Sequence, residues 1–119
     1  MSLLSSIKTF FARGEPPKFP PIILTEAGFS FLGIDSKAIE LRWVNVVQIR
    51  ALKLDLLAFD EVRFIFALSS GEVVEISEEQ AGFEAAISTA ADHFPSIAGW
   101  RHKIIAPAFA RNERVLFDG

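Results

Sequence analysis

The sequence predicts a small α+β protein in which a β-rich part is closed by one amphipathic helix. Between residues 22 and 77, apolar and polar side chains alternate with the period of two that is typical of half-buried strands. Between Phe83 and Phe94, apolar residues recur instead with the spacing of one helix face. A chain of 119 residues, 50% of them hydrophobic, has room for one domain with a single core.

The N-terminal part is predicted to form a separate short helix. Its apolar residues share one helix face, whereas serine, threonine, lysine and arginine take the other. We therefore expect an amphipathic helix over residues 1–14, a stiff Pro-rich connector over residues 15–21, and the folded domain over residues 22–119. The apolar residues are Leu3, Leu4, Ile7, Phe10 and Phe11.

Six strands joined by turns or short loops are predicted in the β-rich part. The clearest covers residues 39–43, where Ile39, Leu41 and Trp43 alternate with two charged residues. Ser69-Ser70-Gly71 predicts a tight turn, so the last two strands should form a hairpin. The six predicted strands cover residues 22–25, 29–34, 39–43, 46–54, 62–68 and 72–77.

The strand over residues 46–54 changes its pattern partway along. Ile49 and Ala51 are apolar on one face, but Leu52 and Leu54 continue the apolar series on the other face, while Lys53 is charged. A strict period of two does not allow this change. The pattern therefore predicts a β-bulge or a strand end near Ala51.

The helix is predicted to begin at Ser77, because Ser77-Glu78-Glu79-Gln80 matches a capping box. Gly82 indicates a close approach to the sheet, and Pro95 is expected to end the helix. Residues 100–106 and 114–117 are predicted to form a second short helix and a last strand. The buried stripe of the main helix is predicted to be Phe83, Ala86, Ile87, Ala90 and Phe94.

Composition and motifs argue against several classes of function. The net charge of -3 argues against nucleic-acid binding, which needs a basic surface. The absence of cysteine excludes disulfides, thiolate nucleophiles and Cys-ligated zinc. The chain has no G-x-G-x-x-G, P-loop or G-x-S-x-G motif. It also has no apolar run of about 20 residues and no signal-peptide pattern, so we expect a cytoplasmic protein.

The two histidines are the remaining candidates for metal binding or acid–base chemistry. Asp92 precedes His93, but no third ligand follows from the spacing of these residues or of His102. A histidine in the last turn of a helix also interacts favourably with the helix dipole. We therefore expect no catalytic residue, no metal site and no cofactor, and the protein is predicted not to be an enzyme.

The order of several antiparallel strands followed by a helix resembles the pleckstrin-homology-like (PH-like) superfold, including its bacterial PH and GRAM-type versions. The resemblance covers about residues 22–94 and rests on Gly28-Phe29-Ser30-Phe31, on residues 39–49, and on the hairpin at Ser69-Ser70-Gly71-Glu72. A second pattern is similar to a family of small uncharacterised bacterial proteins. That pattern is Trp43-x-x-Val46-x-x-Ile49, Lys53-x-Asp55, Asp60, Glu79-x-x-Gly82-Phe83, Trp100, and Pro107-Ala108-Phe109-x-x-Asn112.

The PH-like resemblance implies a strongly bent antiparallel sheet or partly open barrel closed by the helix. PH-like domains bind phosphoinositides, peptides or each other, and few are enzymes. In PH domains that bind phosphoinositides, the first hairpin loop carries several basic residues. Here the corresponding turn, Glu26-Ala27-Gly28, is short and acidic, so no phosphoinositide specificity is expected.

Charged residues around one apolar loop form a candidate partner site. The loop is Leu56–Phe59, and Lys53, Asp55 and Asp60 flank it. One interpretation is a salt bridge that fixes the turn, and the other is a partner site with an apolar tip and a charged rim. The candidate partner-binding residues are Lys53, Asp55, Leu56, Leu57, Phe59 and Asp60.

Two functions from different classes are predicted. The first is a non-enzymatic protein-interaction module that associates with itself or with a protein partner, with an immunity-type inhibitor as a special case. The alternative is a peripheral membrane module, in which Leu3, Leu4, Ile7, Phe10 and Phe11 contact the membrane. The same apolar face could instead pack on the domain or on a second subunit. The few basic residues of this segment predict only weak membrane binding.

Overall fold

A computed structural model describes residues 20–33, 35–56, 60–105 and 111–119 of the chain. These residues form an α+β fold with two antiparallel sheets and few helices, which confirms the predicted class. The predicted helix over residues 1–14 and residues 15–19 of the predicted connector lie outside the described residues.

The strands form a three-stranded and a four-stranded sheet. The first contains β1 (Ile23–Leu24), β2 (Gly28–Leu32) and β3 (Ala38–Arg42) in the order β1-β2-β3. The second contains β4 (Val46–Asp55), β5 (Asp60–Leu68), β6 (Val73–Ser77) and β7 (Asn112–Asp118) in the order β6-β5-β4-β7. In the described residues after β6, the chain forms the α-helices α1 (Phe83–His93) and α2 (Trp100–Ile104). Within the described ranges, no strand pairing joins the two sheets into a barrel.

The predicted hairpin and the predicted last strand are both confirmed. β5 pairs with β6 in antiparallel register. The turn between them is fixed by two hydrogen bonds of 2.9 Å: the Leu68 amide donates to the Glu72 carbonyl, and the Gly71 amide donates to the Leu68 carbonyl. The last strand, β7, pairs with β4 rather than with its neighbours in sequence. The last strand of the chain therefore lies beside the first strand of the four-stranded sheet.

The irregularity predicted near Ala51 in β4 is present against one neighbouring strand only. β4 passes Ala51 in regular register with β5, so the strand neither ends nor bulges there against that neighbour. Against β7, however, the register shifts between Ile49 and Arg50, next to Ala51, as predicted; a second shift, against β5, lies at Val47. Lys53 follows Ile49 and Ala51 on the core face and is fully buried. The apolar series is thus interrupted by a buried lysine while the strand keeps its period of two.

The prediction that the helix begins at Ser77 is wrong, although the hydrogen bonds of the capping box form. The amide of Ser77 donates to Gln80 Oε1 at 2.7 Å, and the Ser77 hydroxyl accepts from the amide of Glu79 at 3.1 Å. These bonds close a turn and do not start the helix. The Glu78 amide still donates to the carbonyl of Val62 in the neighbouring strand, so the chain is still paired with the sheet at this point. Gly82 follows with a left-handed backbone conformation, φ +88°, so the helical conformation starts only at Phe83.

The predicted buried stripe of the main helix is confirmed. Its five residues are all buried, and α1 ends at His93, before Pro95 as predicted. The stripe packs in one hydrophobic core with residues from both sheets and from α2. Phe64 is fully buried in this core, with ring centroids 5.7 Å from Phe83 of α1 and 5.0 Å from Trp100 of α2.

Trp43 does not continue the predicted third strand. β3 ends at Arg42, and Trp43–Asn45 form a 3-10 turn that leads into β4. The Trp43 amide still donates to the carbonyl of Ala27 at 2.8 Å, which extends the pairing by one bond. The side chain is buried as the alternation predicts. The corner between the two sheets is therefore anchored by a core tryptophan.

Candidate functional site

Lys53 and Asp60, two members of the sequence-predicted partner site, lie together at the end of the β4–β5 hairpin. The side chain of Lys53 is 0% exposed, and its Nζ donates to the carbonyl oxygen of Ile105 at 2.7 Å. The same Nζ lies 3.6 Å from Oδ2 of Asp60. Burying a cation is costly unless carbonyl and carboxylate oxygens surround it. Lys53 is thus a buried tether between the hairpin and the end of α2, and it does not line an exposed rim.

The other members of the predicted site are more exposed or lie outside the described residues. Asp55 and Leu56 are exposed, and Asp55 lies opposite Asp60 in the hairpin register. Leu57 and Phe59 lie outside the described part of the chain, as do Leu3, Leu4, Ile7, Phe10 and Phe11. A partner-binding role for these residues stays a prediction.

Asp60→Asn is expected to lower the free energy of unfolding by about 2 kcal/mol, because it removes one carboxylate from a buried ammonium group. Breaking a fully buried ion pair costs about 3–5 kcal/mol, and Asp60 retains some contact with water, which reduces the loss. Its side chain is 19% exposed. Urea unfolding of the purified protein measures the change.

Lys53→Met provides the matched control for this pair. Methionine fills a similar volume without a charge, so Asp60→Asn should cost much less in the Lys53→Met background than in the wild type. A coupling energy near zero in this double-mutant cycle would show that the two side chains do not stabilise each other.

A cleft between the edges of the two sheets is a candidate binding site among the described residues. Its wider part has a volume of about 500 Å³. One wall is formed by β3 and the other by the β5–β6 hairpin, with apolar side chains of Ile39, Leu68 and Val74 facing the space. The remaining lining residues are Ala38, Glu40, Asn45, Ser69, Ser70 and Glu72.

A second, narrower part extends the cleft along β6. Its volume is about 300 Å³, and it shares Ile39 with the wider part. Ile76 of β6 and Phe31 of β2 supply apolar walls, and Pro20 and Gln80 lie at one end. Gln80 Nε2 donates to the carbonyl of Pro20 at 2.7 Å, which fixes that end. The two parts adjoin at Ile39, and we call them together the edge cleft.

The β3 wall of the edge cleft presents backbone groups that no strand of the described ranges uses. In an antiparallel pair, alternate residues direct both N–H and C=O toward the partner strand. The Gly33 amide bonds the Lys37 carbonyl and the Trp43 amide bonds the Ala27 carbonyl, so the odd-numbered residues of β3 face β2. The backbone groups of Ala38 and Glu40 therefore point away from β2, toward the open edge.

The β6 wall follows the same rule. The Leu68 amide bonds the Glu72 carbonyl and the Glu78 amide bonds the Val62 carbonyl, so the even-numbered residues of β6 face β5. Val73 and Glu75 then direct their backbone groups toward the other open edge. In the described part of the chain, no hydrogen bond occupies these outward groups of either strand.

The edge cleft carries more negative than positive charge. Its lining includes the carboxylates of Glu40, Glu72 and Glu75, and one cation, Arg63. Arg63 donates hydrogen bonds of 2.8 Å to Glu75 and to the buried carboxylate of Glu61. The bond to Glu61 is the main reason that the pKa of Arg63 lies above its ordinary value; burial opposes this rise and Glu75 adds to it. Two carboxylates thus neutralise this guanidinium, and the carboxylate of Glu40 stays exposed on β3.

Sequence reasoning missed this site because an open edge depends on strand order, which a single sequence does not fix. One signal was present. Glu40 and Arg42 give β3 two charged side chains on its exposed face, and natural edge strands often carry such charges.

His93 lies against the core tryptophan at the end of α1. His93 is exposed and stacks on the ring of Trp43 with centroids 5.4 Å apart. Among the described residues, no group of three or more His, Asp or Glu side chains is placed to hold a metal ion. The same residues contain no helix long and apolar enough to cross a membrane.

Comparisons with protein-family models, with curated proteins and with solved structures give no match to this chain. Its function must therefore be inferred from the geometry of the fold and of the edge cleft.

Proposed function

We propose that the protein is a non-enzymatic interaction module that binds an extended segment of a partner protein by strand addition in the edge cleft. The outward backbone groups of β3 and β6 carry this proposal, because they offer donors and acceptors at strand spacing on the two sides of a groove that contains the apolar side chains of Ile39 and Val74. Added strands gain affinity from such main-chain hydrogen bonds and specificity from pockets for alternate side chains.

The volume of the cleft fits this mode of binding. The wider part, at about 500 Å³, falls within the range of about 300–1,000 Å³ that is typical of ligand sites. Ile39 and Val74 supply apolar side chains, and most of the other residues that line this part are polar. An alternating segment would place one set of side chains inward against these walls.

The finer predictions about fold and role belong to the same proposal. A PH-like arrangement is supported by the two antiparallel sheets and by a helix that packs its apolar stripe in the core between them. Self-association and an immunity-type inhibitor differ only in which molecule supplies the added segment. The membrane alternative rests on residues 1–14, outside the described ranges.

In the free protein, amide hydrogen exchange is expected to alternate along both cleft walls. The amides of Ala38, Glu40, Val73 and Glu75 should exchange rapidly, because they point to the open edge, whereas those of their neighbours in the ladders should be protected. Heteronuclear NMR on the labelled protein resolves these amides one by one. Equal, strong protection of both sets without any partner would mean that the edges are already paired.

Binding is tested with a phage-displayed library of twelve-residue random peptides. Peptides selected on the wild-type protein should protect the amides of Ala38, Glu40, Val73 or Glu75 when they bind. Methylating alternate amides of a selected peptide removes its hydrogen bonds to one strand only. A peptide paired with β3 alone or with β6 alone should lose binding in one methylation register, and a peptide paired with both strands should lose binding in both. Selected peptides that leave these four amides unprotected, or that tolerate both registers, would overturn strand addition.

Light scattering of the free protein identifies the source of the segment. A monomer at high concentration assigns the segment to a different protein, as we propose. A dimer whose formation protects the Ala38 and Glu40 amides assigns it to a second copy of the chain.

A further inference from the structure

We infer that the edge cleft selects a segment that adds to β3 with a basic residue facing outward opposite Glu40 and apolar residues on both sides facing inward. This inference rests on the proposed strand addition and specifies its partner. The observations that carry it are the face on which each β3 side chain lies and the distribution of charge around the cleft.

The two faces of β3 differ sharply in their chemistry. Ala38, Glu40 and Arg42 are exposed on the outer face, whereas Ile39 and Leu41 turn toward the core. A residue directly opposite another in an antiparallel pair has its side chain on the same face. A residue added opposite Glu40 would therefore lie beside its carboxylate, and the residues before and after it would turn inward.

The inward positions of an added segment meet the apolar side chains of the cleft. Ile39 lies on one side of the groove, and Val74 and Leu68 lie on the other. A polar side chain placed there would lose its contact with water without gaining a hydrogen-bonding partner from these three residues, which is costly. Apolar side chains of moderate size are therefore preferred at the inward positions.

The charge of the rim decides the outward position. Glu40 has no ion-pair partner within residues 35–56 or the other described ranges, and Glu72 adds a second carboxylate at the same rim. Arg63 does not offset them, because it is held by Glu61 and Glu75. A lysine or arginine on the segment complements this rim, and an acidic residue would be repelled by it.

The polar residues at the hairpin end of the cleft favour the same basic residue on the added segment. The Ser70 hydroxyl accepts from the amide of Glu72 at 3.2 Å and lies 3.4 Å from Glu72 Oε1, which holds that carboxylate near the turn. The acidic rim is therefore formed by a strand on one side and by a fixed turn on the other. A segment with one central cation meets carboxylates from both sides.

Three nine-residue peptides test this inference: GSTVKVTSG, its acidic counterpart GSTVEVTSG, and GSVTKTVSG. The third peptide has the composition of the first but exchanges the valines and threonines, so its apolar side chains lie on the same face as the lysine. Titrations of the labelled protein at low salt, followed by NMR, give the three dissociation constants. We expect the first peptide to bind about fivefold or more tightly than either of the others.

Glu40→Lys is the matching variant of the protein, with Glu84→Lys as the control. Both residues are exposed, but Glu84 lies in the first turn of α1, away from the residues that line the cleft. Glu40→Lys should reverse the preference between the lysine and glutamate peptides, whereas Glu84→Lys should leave it unchanged. An equal effect of the two variants would mean that the preference arises from the overall charge of the protein, and it would overturn the inference.

The outcomes separate this inference from the proposed function. If all three peptides protect the Ala38 and Glu40 amides with equal affinity, strand addition stands and the basic specificity is wrong. If library-selected peptides also fail to protect these amides, the proposed function itself is wrong. If the glutamate peptide binds best, the charge argument is overturned.

Discussion

Phe64→Ala is expected to lower the free energy of unfolding by about 4 kcal/mol, which is the largest loss that we expect from a single substitution in the core. Truncating a buried phenylalanine typically costs about 3–5 kcal/mol, because the lost transfer energy is added to the cost of the cavity left behind. Phe64 is 0% exposed, and its ring packs edge-to-face against both Phe83 and Trp100. It therefore joins the four-stranded sheet to both helices.

Urea unfolding measures this loss, and two variants bracket it. Phe64→Leu keeps most of the volume and should cost less than half as much. Val115→Ala, on an exposed position of β7, should change stability by less than about 1 kcal/mol. A small effect of Phe64→Ala, with an unchanged dependence on urea, would mean that α1 and α2 do not pack on β5 as described.

The elements that the sequence predicted well are those whose signals are local. The Ser69-Ser70-Gly71 turn predicted the β5–β6 hairpin, because a tight turn determines the pairing of the strands on either side. The stripe from Phe83 to Phe94 predicted the buried face of α1, because helical spacing places those residues together wherever the helix packs. Both predictions needed only neighbours in the chain.

The elements that were predicted wrongly depend on contacts between distant residues. The capping box at Ser77 forms its hydrogen bonds, but the chain around it is held by Val62 and cannot enter the helix. Lys53 breaks the apolar alternation of β4, yet it is buried because Ile105 and Asp60 supply oxygens from other elements. A single sequence does not contain these partners in its local pattern.

The candidate site shows the same division. The alternation of Glu40 with Ile39 and Leu41 was visible in the sequence, and it specifies which face of β3 is polar. That β3 and β6 lie across a cleft depends on strand order, and therefore on the pairing of β7 with β4 and of β2 with β1. The sequence thus predicted the chemistry of the strand but not its position at an open edge.

Gly82→Ala is expected to lower the free energy of unfolding by about 3 kcal/mol, for two separable reasons. The backbone at Gly82 has φ +88°, a conformation that costs any residue with a Cβ about 1–2 kcal/mol. A Cβ here would also lie 2.5 Å from the carbonyl oxygen of Ile22, which is backbone and cannot move aside cheaply. The amide of Ile22 is itself bonded to the carbonyl of Ala81 at 2.8 Å, so the two segments are held close together.

Gly99→Ala separates the two reasons. Gly99 also precedes a helix and has φ +73°, but a Cβ there would meet no other atom within 4 Å. It should therefore show the conformational cost alone, about 1 kcal/mol, in the same urea experiment. Similar losses for both variants would remove the close approach of Ile22 as a cause. A larger loss at Gly82 would show that the close approach, beyond the backbone conformation, requires glycine there.

Because Pro20 and Gln80 flank this contact and line the edge cleft, Gly82→Ala should also weaken the binding of the lysine peptide, whereas Gly99→Ala should not.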